Sequence, residues 1–189
     1  MEDYNYPVTK FYTRSGDDGF SSRLGEGRLP KHDDLFEAIG ALDEASSALG
    51  VARATCQAAQ TQDLILAIQR DLYHLMAELS ATEENAARFR RIDAARVSWL
   101  EQQVDDLSAT VALPNEFIVP GDSQAGAALA MARTVVRRAE RRVAGLFHAG
   151  KVTNAELLRY LNRLSSLCFV LELIENQAAG SAHPTLAKE

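Results

Sequence analysis

ARTVVRRAERRV, residues 132–143, sets Arg133, Arg137 and Arg141 four positions apart, an interval that brings all three onto one face of an α-helix. Arg138 and Arg142 repeat the interval beside them, and Glu140 lies on the Arg137 side. The opposite side is apolar, with Leu129, Ala132, Val136, Ala139, Val143 and Leu146 at helical spacing. The stretch therefore reads as one amphipathic helix with a concentrated guanidinium face. Like charges one turn apart repel by roughly 0.2–0.5 kcal/mol per exposed pair. Lysine is missing from the run, and arginine alone suits bidentate pairing with phosphate or carboxylate. A bound polyanion and facing carboxylates are the two partners that relieve the repulsion; a merely solvated face is the alternative.

Helical spacing continues on both sides of this run. Leu35, Ile39, Leu42, Ser46 and Leu49 form one stripe, with Asp34 and Glu37 as a capping box. Leu64, Ile68, Leu72, Leu75 and Leu79 form a second, between 61 and 81. Val97, Leu100, Val104 and Leu107 form a third that ends before Pro114. The arginine helix starts after Asp122 or Ser123 as N-cap. A last helix opens at Thr153, with Glu156 three residues on, and runs through Leu157, Leu161, Leu164, Cys168, Leu171 and Ile174. With no strand pattern and mostly short connections, this predicts an all-α fold. Its architecture is a five-helix antiparallel bundle preceded by a structured glycine-rich segment. The first and third helices are rich in alanine, which allows helices or subunits to approach closely.

Composition limits what the anion can be. The 189 residues carry a net charge of −6 with a pI near 5.3. A general nucleic-acid binder is usually basic as a whole, so the cluster points to a small, local anion. The 47% apolar share supplies the core of one domain, 1–189, with 1–10 and 179–189 as flexible tails. Cys56 and Cys168 match no metal-ligand spacing and read as free thiols in a reducing compartment. No apolar run is long enough to span a membrane, and MEDYNYPVTK (1–10) is too acidic and polar for a secretory signal. The expected location is the cytoplasm, or the mitochondrial matrix if a transit peptide was removed.

Four features carry candidate chemistry. TRSGDDGFSSRLGEGRLPK (13–31) is rich in glycine, serine and basic residues. It reads either as a surface loop or as a phosphate cradle, with hydroxyls from Thr13, Ser15, Ser21 and Ser22 and charge from Arg14, Arg23, Arg28 and Lys31. It lacks the Walker A pattern. Asp43 shares a partly apolar helix face with Phe36 and Ile39 and needs a partner, either local or across a subunit interface. Asn162, beside the last apolar stripe, calls for a specific hydrogen bond. Asp71-x-x-His74 is one partial copy of a di-iron pattern that needs two copies and two further carboxylates, so His74 reads as structural.

Four blocks in order resemble the PduO-type ATP:cob(I)alamin adenosyltransferases, the vitamin B12 adenosyltransferase family. They are YTRSGDDGFSS (12–22); Lys31 with FEAIGALDEASSALG (36–50); FIVPG (117–121) with the arginine run; and YLNRLSSLCFVLE (160–172). The resemblance spans roughly 11 to 176. It implies a homotrimer with active sites between subunits, and the substrates ATP and cob(I)alamin with Mg2+. It implies that ATP lies against Thr13, Arg14, Ser15, Gly16, Asp17, Asp18, Gly19, Phe20, Ser21 and Ser22. Lys31, Arg137, Arg138, Glu140, Arg141 and Asn162 complete that set, with Glu140 also toward the metal. Lys31, Arg137, Asn162 and Phe117 take the catalytic roles, Phe117 as the aromatic beside the corrin. Asp43 pairs with Arg133 across the interface. A reductase or an adenosylcobalamin-dependent enzyme is a further partner; nucleic acid and membrane are not. Two positions depart from the pattern: Asp18 stands where many relatives have lysine, and Asp122 where many have glycine. Asp18 aimed at a phosphate would be repelled, so it turns away or faces Mg2+ or an arginine. A non-catalytic ATP- or cobalamin-binding carrier on the same fold is the competing function. A helical protein whose arginine face binds an acidic partner is a third.

Overall fold

Asp33 accepts a hydrogen bond from the Leu35 amide and caps α1 (Asp34–Thr55), so the helix starts with Asp33 and not with the expected Asp34–Glu37 box. The computed structural model describes residues 12–181 and 183–188; the stretch 1–10, expected to be flexible, lies outside them. Along α1 the buried positions are Leu35, Ala38, Ala41, Leu42, Ala45, Leu49 and Ala52. Four of these seven are alanines, which lets a neighbouring helix lie close.

The helices that follow are α2 (Ala59–Ser80), α3 (Glu83–Phe89), α4 (Ala94–Ser108), α5 (Gln124–His148) and α6 (Glu156–Ala178). Among the described residues there are thus six helices where five long ones were expected. The added one, α3, is seven residues long and buries none of them, so it carries no apolar stripe to read. The core is a single apolar cluster drawn from α1, α2, α4, α5 and α6. Arg138–Glu44 and Arg142–Glu37 pair α5 with α1 in antiparallel order. α4 and α6 run parallel instead. Asn154 bonds the Ile92 carbonyl and Arg163 bonds Glu101, two contacts with the same sequence offset.

Of the two expected N-caps of α5, Ser123 takes the place, accepting from the Gly126 amide and donating to Asn176 Oδ1 of α6. At α6 the Asn154 side chain, not Thr153, accepts from the Glu156 amide. Its amide nitrogen also donates to Glu78 and to the Ile92 carbonyl. One buried asparagine thus ties the α6 start to α2 and α4.

A short antiparallel pair, β1 (Phe20–Ser22) and β2 (Arg28–Pro30), corrects the expectation that the chain has no strands. Three residues per strand are too few for alternation to be visible in the sequence. The hairpin leans on the end of α2, where the Leu24 amide bonds the Ser80 carbonyl and the Thr82 amide bonds Leu24. The tail is a further correction. Residues 183–188, expected to be flexible, return to the connector before α5. The Val119 amide bonds the Thr185 carbonyl and the Ala187 amide bonds the Phe117 carbonyl.

Candidate active site

The segment 13–31 is a folded loop closed by two cations. Tight turns join the Asp17 amide to the Arg14 carbonyl and the Gly19 amide to the Gly16 carbonyl. Arg14 holds a left-handed φ of 63°, a conformation that a non-glycine residue rarely takes. Thr13 and Ser15 share a hydroxyl–hydroxyl bond of 2.7 Å. Lys31 Nζ donates to the Gly16 carbonyl at 2.7 Å, and a Cβ at Gly16 would stand 2.9 Å from that nitrogen.

Asp18 faces an arginine. Its two oxygens accept from Arg28 Nη1 and Nη2 at 2.7 and 2.8 Å, and one also accepts from the Phe20 amide. The Arg28 hydrogen bonds hold its carboxyl down to about 2. The charge of Asp18 is thereby paired within the loop.

On α5 the five arginines divide. Arg138 pairs with Glu44 and Arg142 with Glu37, both on α1. Facing carboxylates thus account for two of them. Arg137 and Arg141 are exposed and, among the described residues, make no ion pair. Between them Glu140 accepts from Asn162 Nδ2 at 3.0 Å through one oxygen. Asn162 Oδ1 accepts from Arg163, which also reaches Glu101. Asn162 therefore has the specific hydrogen bonds its position called for. Arg133 is half-buried, and its Nε is buried without a partner among the described residues.

Phe117, on the connector between α4 and α5, is 86% exposed. It lines a cavity of about 380 Å³ with Arg133, Phe169 and Glu172. Glu172 is a residue that the sequence reading missed. It is buried, one oxygen lacks a partner, and burial pushes its carboxyl up to about 7, against the pull of Arg133. The available signal was two glutamates, Glu172 and Glu175, inside an apolar helical run.

Not every expected residue comes together. Among the described residues no hydrogen bond or ion pair joins 13–31 to the α5 arginines, and none joins Asp43 to Arg133. Asp43 is exposed. Asp71, of the partial di-iron pattern, is held by Tyr160 at 2.6 Å and Arg96 at 2.8 Å. Among the described residues no three His, Cys, Asp or Glu side chains cluster at metal-binding distance. Cys56 and Cys168 are free, and burial pushes both thiols up to about 12.

The sequence family described as cobalamin adenosyltransferase matches residues 11–175. The chain belongs to this family. It is 36% identical to a corrinoid adenosyltransferase of Citrobacter freundii over 88% of this chain and 94% of that one. Identity to the human corrinoid adenosyltransferase MMAB is 35%, over 87% of this chain and 68% of the relative. For Salmonella typhimurium PduO it is 36%, and the match covers 91% of this chain but 51% of that longer protein. The fold agrees with a PduO-type ATP:corrinoid adenosyltransferase of Lactobacillus reuteri, a phenylalanine-to-alanine variant complexed with cobalamin and ATP. Its TM-score is 0.86 at 28% identity, over 95% of this chain and 100% of that one. An arginine-to-lysine variant of the same enzyme, complexed with ATP, gives a TM-score of 0.85 at 27% identity, over 94% and 99% of the two chains. Among the described residues no helix of this member is long and apolar enough to cross a membrane.

Proposed function

We propose that the chain transfers the 5′-deoxyadenosyl group of ATP to the cobalt of cob(I)alamin, forming adenosylcobalamin and releasing triphosphate. The division of α5 carries this reading. Arg138 and Arg142 pair with carboxylates of α1, whereas Arg137 and Arg141 are exposed and make no ion pair among the described residues, beside the Glu140–Asn162 pair. A triphosphate is a ligand of matching charge. Family membership supplies the corrinoid.

The transfer forms a Co–C5′ bond from the cobalt electron pair and breaks the C5′–O bond, whose electrons leave on the triphosphate. No proton needs to be taken up by a base. The protein holds ATP in line, an alignment that lowers the barrier by up to roughly 7–11 kcal/mol. The folded segment Thr13–Ser22 with Lys31 cradles the nucleotide in this reading. Lys31, Arg137 and Arg141 balance the charge that grows on the leaving group. Arg138 flanks the phosphates from its pair with Glu44. Glu140 keeps one oxygen without a hydrogen bond among the described residues, which fits Mg2+ or a water of its shell. When bound, the ion would add positive charge beside the phosphates. Phe117 supplies an apolar wall that keeps water and a lower axial ligand from cobalt.

In this reading the five long helices form one bundle and one domain, and the protein works as a homotrimer. Asp43 of one subunit meets Arg133 of the next, and each site is completed by a neighbour. The setting is the cytoplasm, or the mitochondrial matrix, with a reductase or an adenosylcobalamin-dependent enzyme as partner. The bidentate bond of Asp18 to Arg28 fits this reading, because the aspartate then already has a cation beside it. The test is adenosylcobalamin formation from ATP and chemically reduced cobalamin. Turnover supports the transferase; tight binding of both substrates without turnover makes the chain a carrier; binding of neither overturns the reading.

A further inference from the structure

The connector that carries Phe117 has little support from the helices. Cavities of about 480 and 380 Å³ adjoin it, the first against the α6 end and the tail, the second against Arg133 and Glu172. The Phe117 side chain is exposed, so packing does not fix where it stands. Its backbone does, and that backbone is held from the C-terminal end of the chain. Ile118 pairs with Leu186 in an antiparallel bridge, flanked by the bonds from Val119 to Thr185 and from Ala187 to Phe117.

One side chain sets the register of this pairing. Asp122 Oδ2 accepts from the Thr185 amide at 2.9 Å, and Oδ1 accepts from the Thr185 hydroxyl at 2.6 Å. Ser123 caps α5, which leaves Asp122 available for Thr185. Phe117 and Ile118 both line the cavity beside Arg133 and Glu172, so a shift of this backbone against the tail would move both side chains at its wall. Resting on the adenosyltransferase reading, we propose that Asp122 and Thr185 are positioning residues for the reaction: their two-point bond locks the tail to the connector in the register that presents Phe117 to the corrin. Neither residue touches substrate.

The test uses the full chain with Asp122→Ala, Thr185→Val and Thr185→Ser. Thr185→Val keeps the shape, removes the hydroxyl donor and leaves α5 untouched. The Val119 and Ala187 amides should exchange hydrogen faster in the first two variants, with thermal unfolding unchanged. The kcat for adenosylcobalamin formation should fall about tenfold, as expected for losing a charge-assisted hydrogen bond, while KM for ATP stays within about twofold. The spectroscopic share of four-coordinate Co(II) at saturating ATP should fall in parallel. Thr185→Ser should behave as wild type. Wild-type exchange in both disrupting variants overturns the lock. Faster exchange with unchanged kcat and Co(II) spectrum overturns its positioning role. A wild-type protein that makes no adenosylcobalamin counts against the function above, and exchange still judges the lock.

Discussion

Arg137 and Arg142 share a helix and a charge but differ in what they already hold. Arg142 is exposed and paired at 3.5 Å with an exposed Glu37, a contact worth about 0–1 kcal/mol. Arg137 has no such pair among the described residues. Arg137→Ala should therefore cost roughly 10²–10³ in kcat, the range seen when one preorganised charge stabiliser is removed, with the fold intact by circular dichroism. Arg142→Ala should leave turnover within about threefold. Equal losses in the two would remove the distinction on which the site rests. Glu172 gives a second prediction at this scale. Its folded pKa of about 7 lies above the ordinary 4.5, so between those values the native state binds more protons than the unfolded one. Stability then falls as pH rises through that window. Arg133 opposes the shift and Asp122 adds to it. Glu172→Gln removes the ionisation, so its stability gain over wild type should be near zero at about pH 4. By about pH 8 it should reach on the order of 1–3 kcal/mol in urea titrations. A gain independent of pH would assign the effect to packing. Which arginines needed partners was visible in the spacing of 133–142. Which ones α1 would satisfy was not, because pairing depends on how two helices lie together.

Helix by helix, the bundle is held by polar joints as well as by its apolar stripes. Tyr160 of α6 and Arg96 of α4 both bond Oδ2 of Asp71 on α2, and Arg96 lies 3.6 Å over the Trp99 ring. Burial and the adjacent carboxylate push the Tyr160 hydroxyl pKa well up, so it stays a donor. Tyr160→Phe keeps the ring and takes one donor from a buried carboxylate. It should destabilise the protein by about 1–3 kcal/mol in chemical denaturation. An effect below about 0.5 kcal/mol would mean that Arg96 alone satisfies Asp71. The long helices were legible because each offers several turns of apolar periodicity. The hairpin and α3 were not, being three residues per strand and seven residues without a buried face. The Asp34 and Thr153 caps went to Asp33 and Asn154, and of Asp122 and Ser123 the serine caps α5, since adjacent polar residues compete for one amide and tertiary contacts choose between them. Asn154, for example, is fixed from Glu78 and Ile92, distant in sequence.

For the whole molecule, the two halves of the proposed site are mounted on different supports. The 13–31 segment leans on the end of α2, and the free arginines lie on the outer face of α5, with no bond between the halves in one chain among the described residues. A chain that must place Lys31 and Arg137 on the same triphosphate can do so by letting a neighbour supply one of them. This has a consequence that activity of single variants does not reach. Lys31→Ala and Arg137→Ala should each be nearly inactive alone. Co-expressed in equal amounts and assembled at random, they should recover about a quarter of wild-type activity, because a site drawing Lys31 from one subunit and Arg137 from the next is intact in one arrangement of four. Sites built within one chain recover nothing, since every chain then carries a defect. Adding Asp43→Asn to both variants should reduce the recovery if the Asp43–Arg133 pair holds subunits together, and sedimentation would show the lost assembly directly. Zero recovery from a mixture that sediments as a stable oligomer would place Lys31 and Arg137 in the same subunit's site and withdraw the shared architecture.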